Sequence, residues 1–211
     1  MGSLTTNTPK PLLEIKGKTL LQRTIEKLPD SIDEVILVVG FGETKIREFF
    51  GDTFFSKKIT YIKQEELLGT GHALWLAKEY LRDTFLVLMA DDIYEEKSIK
   101  EILLCDFAML VYPTDWISGR GDIVLDENNA LQNIVFYNTN PKHKIRINTG
   151  MYVLSTNIFN HKLVKHPKTN EYSLPHTLLD ISKSLPMKII ETDSWFQINT
   201  PEDFQTAKII L

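Results

Sequence analysis

Four short stretches carry residue types whose spacing could do chemistry. Thr8-Pro9-Lys10-Pro11-Leu12 sets a lysine between two prolines. Each ring locks its own φ and pushes the residue before it towards extended geometry, so Lys10 is held stiffly. A stiff ammonium suits a phosphate; a solvated cation in a polar leader is the plainer alternative. In Gln64-Glu65-Glu66-Leu67-Leu68-Gly69-Thr70-Gly71-His72-Ala73-Leu74, Gly69 and Gly71 leave amides unobstructed at the positive end of a helix. A flat base or a phosphate can approach there, and Gln64 offers a donor and an acceptor. An ordinary glycine loop with Thr70 as N-cap explains the same residues.

Leu88-Met89-Ala90-Asp91-Asp92-Ile93 places two carboxylates at the carboxyl end of an apolar strand. That edge is where open α/β sheets bind ligands, and a hard divalent cation takes carboxylate oxygens there together with phosphates. Neighbours on an extended chain point opposite ways, so one acid of the pair faces a ligand and the other caps or solvates the loop. Trp195-Phe196-Gln197-Ile198-Asn199-Thr200-Pro201-Glu202-Asp203 is again a strand end feeding a helix, with Gln197 and Asn199 on one side of the strand. Helix capping accounts for Thr200 onwards without a ligand.

The elements that must position these residues follow from periodicity. Thr19–Leu28 has helical apolar spacing and breaks at Pro29-Asp30, and 34–40 is a β-branched run ending in glycine, the pattern of a buried parallel strand. A helix over 44–50, a strand over 58–63, a helix over 70–81 and a strand over 85–90 continue a βαβ series. From Phe107 the pattern turns antiparallel: a strand at 107–113, a hairpin of 122–126 and 130–138 across Glu127-Asn128-Asn129, and a strand at 149–155. A helix over 174–185, strands over 187–192 and 194–199 and a helix over 201–211 close the chain. Thr200 as N-cap, Pro201 and Asp203 complete that last helix start. A single domain spanning residues 1–211 is expected from the length and apolar content.

Composition narrows the function classes. A formal charge of -4 gives no electrostatic footprint for nucleic acid or an anionic membrane. The lone Cys105, in the apolar run EILLCDFAMLV, reads as a buried thiol. No apolar stretch is long enough to span a bilayer and the N-terminus has no signal-peptide core, so a soluble cytoplasmic protein is expected. Gly40-Phe41-Gly42 starts like a dinucleotide fingerprint, but Lys45 stands where its third glycine belongs. His72, His143, His161, His166 and His176 have no metal-binding spacing, and no serine or cysteine nucleophile motif is present.

Taken in order, TPKPLLEIKGKTLL, QEELLGTGHAL, FLVLMADDIY, RINTGMYVLS, NEYSL and WFQINTPEDF resemble the sugar-phosphate nucleotidylyltransferases, nearest to those that act on hexose or hexosamine 1-phosphates with UTP or dTTP. The resemblance implies an α/β fold: a Rossmann-like three-layer α/β/α mixed, mainly parallel sheet with a small antiparallel insertion. It implies partners, a nucleoside triphosphate and a sugar 1-phosphate, and Mg2+ as cofactor. A homo-oligomer is left open. By the same likeness Lys10 contacts the reacting phosphates, Gln64 with Gly69 and Thr70 reads the base, and Asp91 holds magnesium with Asn199, or Gln197 if the register shifts. Gly121, Asn148, Thr149 and Glu171 match positions that cradle the sugar and its phosphate.

The sequence departs from the family pattern in three places. The usual opening strand and glycine-rich loop are not found upstream of Lys10, so Met1 is expected to be an internal methionine of that loop. Phe136 stands where an acid is expected in IVF, and Ala90 where a glycine precedes the first acid. The alternatives are therefore a guanylyl- or cytidylyltransferase of the same family, or a non-catalytic relative that binds nucleotide sugars.

Overall fold

A computed structural model describes residues 2–115, 121–139 and 141–211; Met1, and with it the expectation about the start of the chain, lies outside the described residues. The elements begin with β1 (Glu14–Ile15), β2 (Lys18–Thr19), α1 (Leu20–Glu26), β3 (Glu34–Val39), α2 (Glu43–Phe50), β4 (Thr53–Phe54) and β5 (Lys57–Lys63). They continue with α3 (Thr70–Leu76), β6 (Thr84–Val87), β7 (Asp92–Tyr94), α4 (Glu96–Ile102), β8 (Ala108–Thr114), β9 (Asp122–Leu125) and β10 (Leu131–Val135). Then come β11 (Ile145–Ser155), α5 (Leu174–Ser182), β12 (Lys188–Glu191), β13 (Trp195–Gln197) and α6 (Pro201–Ile210), with short 3₁₀ turns between some of them.

The chain divides into two compact units. The first comprises Met1–Glu66, Met89–Ile99 and Trp195–Leu211. In it β5 is flanked by β3, parallel, and by the short antiparallel β4, while β7 pairs antiparallel with β13. Leu21 and Ile25 of α1, Val39 of β3 and Ile46 and Phe50 of α2 form one core; Leu13, Ile15, Leu20, Ile93, Ile198 and Phe204 form another. The second core contains residues from the opening segment. The stretch before α1, expected as a polar leader, is therefore an integral part of the unit: Leu13 and Ile15 alternate inward across the β1–β2 hairpin, and burying them outweighs the polarity of their neighbours.

The second unit comprises Leu67–Leu88 and Lys100–Ser194. Its sheet runs β10-β9-β11-β8-β12, with β6 also paired to β11. The mixed α/β character is as expected; among the described residues the parallel pairs are β3–β5 and β8–β12. The long β11 runs antiparallel to β6, β8 and β9.

Several element boundaries move for local reasons. The helix expected over 70–81 ends at Leu76 and passes into a 3₁₀ turn over Lys78–Tyr80. The strand expected over 85–90 stops at Val87, and a separate strand, β7, begins at Asp92. Cys105 is half-exposed rather than interior: it follows α4 in a turn, its N–H donating to Ile102 O at 3.0 Å, so the apolar run spans a helix end, a turn and a strand start. The hairpin turn forms as expected, with Asp126 Oδ1 accepting from the N–H groups of Asn128 and Ala130 and Asn129 at φ 60°. Among the described residues no helix is long and apolar enough to cross a membrane.

Candidate active site

Lys10 starts a 3₁₀ turn, Lys10–Leu12, with Pro9 extended before it and Pro11 inside it. The N–H of Leu12 donates to Pro9 O at 2.8 Å and that of Leu13 to Lys10 O at 3.0 Å, so the two prolines supply the fixed φ values that the turn uses. The turn is also anchored from outside. Pro9 is buried against Gly42, where an added Cβ would stand 2.2 Å from the Pro9 ring. Gly42 is at φ +75° as the N-cap of α2, a conformation and a closeness that only glycine supports. The glycines of Gly40-Phe41-Gly42, which fail as a dinucleotide fingerprint, include the seat of the lysine turn.

The two acids of Asp91-Asp92 have different partners, because Asp91 lies in a turn and Asp92 opens a strand. Asp92 is the first residue of β7, 2% exposed, and its Oδ2 accepts from Trp195 Nε1 at 3.2 Å. Asp91, in the turn just before the strand, accepts from Lys10 Nζ at 2.6 Å. The antiparallel register pairs Asp92 with Gln197, so the residues before Asp92 and after Gln197 leave the ladder at the same end. Asn199 is brought beside Asp91 in this way, and its Oδ1 accepts from Lys10 Nζ at 3.1 Å. Gln197 stays in the ladder opposite Asp92, and of the two amides it is Asn199 that meets Lys10. Gln64, in the same unit, follows β5, and its N–H donates to Val39 O at 2.7 Å.

Asn199 is followed by a complete capping box. Thr200 Oγ1 accepts from the N–H of Asp203, and Asp203 Oδ2 accepts from the N–H groups of Thr200 and Asn199. Burial opposes ionisation of Asp203, but these backbone and hydroxyl hydrogen bonds and the nearby Lys10 charge outweigh it and hold its carboxyl below the usual range. The donor set of Asp91 and Asn199 fits a hard divalent cation. Both atoms are oxygens, and they already converge on one positive charge, the Lys10 ammonium. Among the described residues no three His, Cys, Asp or Glu side chains form a metal-binding group, so phosphate and water oxygens would complete the coordination of such an ion.

The remaining candidates lie in the second unit. Gly69, not Thr70, is the N-cap of α3. It is at φ +104°, and a Cβ there would come within 2.5 Å of Tyr172 O and 2.9 Å of Glu171 Cβ. The N–H of Tyr172 donates to Leu68 O and that of Gly71 to Tyr172 O, at 2.7 and 2.9 Å, so the glycine loop is laced to the segment carrying Glu171. Thr70 Oγ1 accepts from the N–H of Leu174 at the start of α5. These contacts gather Gly69, Thr70 and Glu171 in one place.

Asn148 and Thr149 sit where β11 changes register against β8, between Asn148 and Tyr152, with Gly150 at φ +79°. Such a bulge re-aims side chains. Asn148 Nδ2 donates to the Tyr152 hydroxyl, and its Oδ1 accepts from the N–H of Gly150. Thr149 is fully buried and its hydroxyl donates to Leu110 O at 2.9 Å, so in this conformation it holds the bulge. Ile147 pairs with Asp122, which brings Gly121 across from Asn148. A Cβ at Gly121 would meet Ile134 at 2.3 Å and the Phe136 ring at 3.2 Å. Phe136 itself lies against His166 and His176, with ring centroids 5.9 and 6.3 Å apart. An apolar ring therefore packs where the sequence pattern leads one to expect an acid.

Sequence reasoning did not find Gly42, Trp195 or the contact of Asp203 with Asn199. The near-fingerprint signalled Gly42, but its partner Pro9 lies 33 positions away. The Thr200-to-Asp203 spacing signalled the capping box, but not its extra bond to Asn199.

The family model described as nucleotidyl transferase matches residues 1–210. The chain belongs to the nucleotidyl transferase family. Within that family it is 35% identical over 211 residues to the bifunctional protein GlmU of Methanococcus maripaludis, covering 97% of this chain and 49% of that protein. The chain thus spans about half the length of the GlmU relatives it matches. It is 26% identical over 217 residues to the UTP--glucose-1-phosphate uridylyltransferase AglF of Haloferax volcanii, covering 97% of this chain and 88% of that one. Among solved structures, HddC from Yersinia pseudotuberculosis complexed with GMP-PN superposes with a TM-score of 0.72 at 26% identity, covering 99% of this chain and 92% of that one.

Proposed function

We propose that this protein transfers a nucleotidyl group from a nucleoside triphosphate to a sugar 1-phosphate. A phosphate oxygen of the sugar 1-phosphate attacks the α-phosphorus in line; the bond from that phosphorus to the bridging oxygen of the β-phosphate breaks, and pyrophosphate leaves with its electron pair. The observation that carries this reading is the convergence of Asp91 Oδ2 and Asn199 Oδ1 on Lys10 Nζ, at 2.6 and 3.1 Å. Phosphoryl transfer of this kind asks little covalent work of a protein, and its rate comes from positioning and charge compensation.

Lys10, held by its proline turn, supplies a directed positive charge to the phosphates. Asp91 and Asn199 are oxygen donors suited to Mg2+, which when bound would neutralise charge building on the phosphate oxygens. Gln64, Gly69 and Thr70 are assigned to the base, and Gly121, Asn148, Thr149 and Glu171 to the sugar phosphate, Thr149 acting through the bulge it holds. UTP or dTTP is the favoured donor. The uridylyltransferase AglF supports it, matching nearly the whole chain at 26% identity. A guanylyl donor is the second reading, favoured by the likeness to HddC, which was solved with GMP-PN. A soluble cytoplasmic location accords with these substrates.

Pyrophosphate release measured over a panel of UTP, dTTP, GTP and CTP against hexose and hexosamine 1-phosphates, with Mg2+ present, tests the reading. Release with UTP or dTTP and one sugar 1-phosphate is the expected result. Release with GTP alone selects the second reading. A folded protein that binds nucleotide and releases none in any combination overturns the enzyme assignment.

A further inference from the structure

Asp203 makes one hydrogen bond more than a helix cap needs. Its reciprocal exchange with Thr200, Oδ2 accepting at 2.8 Å and its N–H donating to Thr200 Oγ1 at 3.1 Å, is the capping box of α6. The same Oδ2 also accepts at 2.8 Å from the N–H of Asn199, a residue before the cap. Asn199 lies between buried anchors: Ile198 is fully buried on one side, and Phe204, 5% exposed, secures the first turn of α6 on the other. A bond to its N–H fixes the peptide plane from which its side chain departs, and that side chain ends on Lys10 Nζ at 3.1 Å.

We infer that Asp203 is a positioning residue for the Lys10–Asp91–Asn199 cluster, acting through the Asn199 backbone. The helix that begins at Pro201 thereby sets the direction of a side chain outside it. The kinetic consequence rests on the nucleotidyl-transfer reading; the geometric one does not. Removing both acceptor oxygens of Asp203 frees the Asn199 peptide plane, whereas removing the Thr200 hydroxyl weakens the cap and leaves the bond from Asn199 to Asp203 in place.

The test compares the full chain as wild type, Asp203→Ala and Thr200→Val, by pyrophosphate release and by the NMR signal of the Asn199 side-chain amide, assigned through Asn199→Gln. Both cap variants should lose thermal stability. Only Asp203→Ala should lower kcat, by about 10- to 100-fold as expected for a misplaced reacting group, with KM for both substrates held within about twofold. Only Asp203→Ala should shift or broaden the Asn199 signal. Asp203→Asn, which keeps an acceptor oxygen, should recover part of both readouts, and it replaces the alanine variant if that one does not fold. A wild type that releases no pyrophosphate removes the functional reading and leaves the amide signal to decide the positioning role. An Asn199 signal in Asp203→Ala that matches wild type, or one that moves equally in Thr200→Val, overturns the inference.

Discussion

The Pro9 ring lies against the backbone of Gly42, closely enough that a single added carbon at Gly42 would stand 2.2 Å from it. Lys10 follows directly, so this contact governs where the lysine turn rests. Gly42→Ala should cost about 1–3 kcal/mol from the positive φ alone and further displace the turn. Gly17→Ala has the same φ of +75° with nothing within 4 Å and is the matched control. Both should lower Tm, and only Gly42→Ala should lower kcat. Equal activity in the two variants would show that the seat of Pro9 does not matter to Lys10.

Asp91 accepts from Lys10 Nζ with its side chain partly open to solvent, so changing it should leave the fold intact. Asp91→Asn should reduce pyrophosphate release by about 100-fold or more, the scale lost with one preorganised electrostatic group, while urea midpoints stay within experimental scatter. Lys10→Met should cause a loss of similar size. Full activity in Asp91→Asn would refute its place beside the phosphates.

Gly69 combines φ +104° with backbone and side-chain atoms of residues 171–172 inside contact distance. Gly69→Ala should destabilise by about 1–3 kcal/mol and raise KM for the nucleotide more than it lowers kcat, because the loop and the Glu171 segment must part. Steady-state kinetics beside urea titration separate the two effects; an unchanged KM would exclude Gly69 from nucleotide recognition.

His176 is held below the usual histidine range, first by burial and then by His166, whose ring centroid is 4.8 Å away. Its folded-state pKa is depressed, so in the acid range the unfolded chain binds the extra proton more readily. Stability is then complete above the unfolded pKa of about 6.5 and declines as pH falls from there through the lower folded value. Urea midpoints between pH 7.5 and about 5 should fall in the wild type and fall less in His176→Gln. Parallel profiles would exclude His176 as the source.

Strand and helix identities were readable wherever a single periodicity ran without interruption, as in Glu34–Val39, Lys57–Lys63 and Pro201–Ile210. Boundaries slipped where two elements met inside one apolar run. The apolar run over 85–90 looks like one strand, yet the strand ends at Val87 and the chain turns at Ala90–Asp91, so that Asp92 enters a second ladder with Gln197. Asp91 and Asn199 were singled out through the family resemblance, and the structure brings both side chains to Lys10 Nζ. The glycine loop was legible as a loop, but not its lacing to residues 171–172, because cross-chain proximity leaves no local trace. The half-buried Cys105 and the buried Leu13 and Ile15 were misread for the same reason: which apolar side chain turns inward depends on partners distant in sequence.

The Lys10–Asn199 hydrogen bond closes a span of 189 residues, against 81 for Lys10–Asp91. During synthesis the lysine and the acid emerge well before the amide, so a growing chain holds two members of the cluster while the third is still to be made. Closing that longest loop costs only slightly more entropy than closing the shorter one, so the order in which the groups are made, rather than loop length, separates them. A chain not yet extended to residue 199 can pair Lys10 with Asp91 but cannot hold all three groups together.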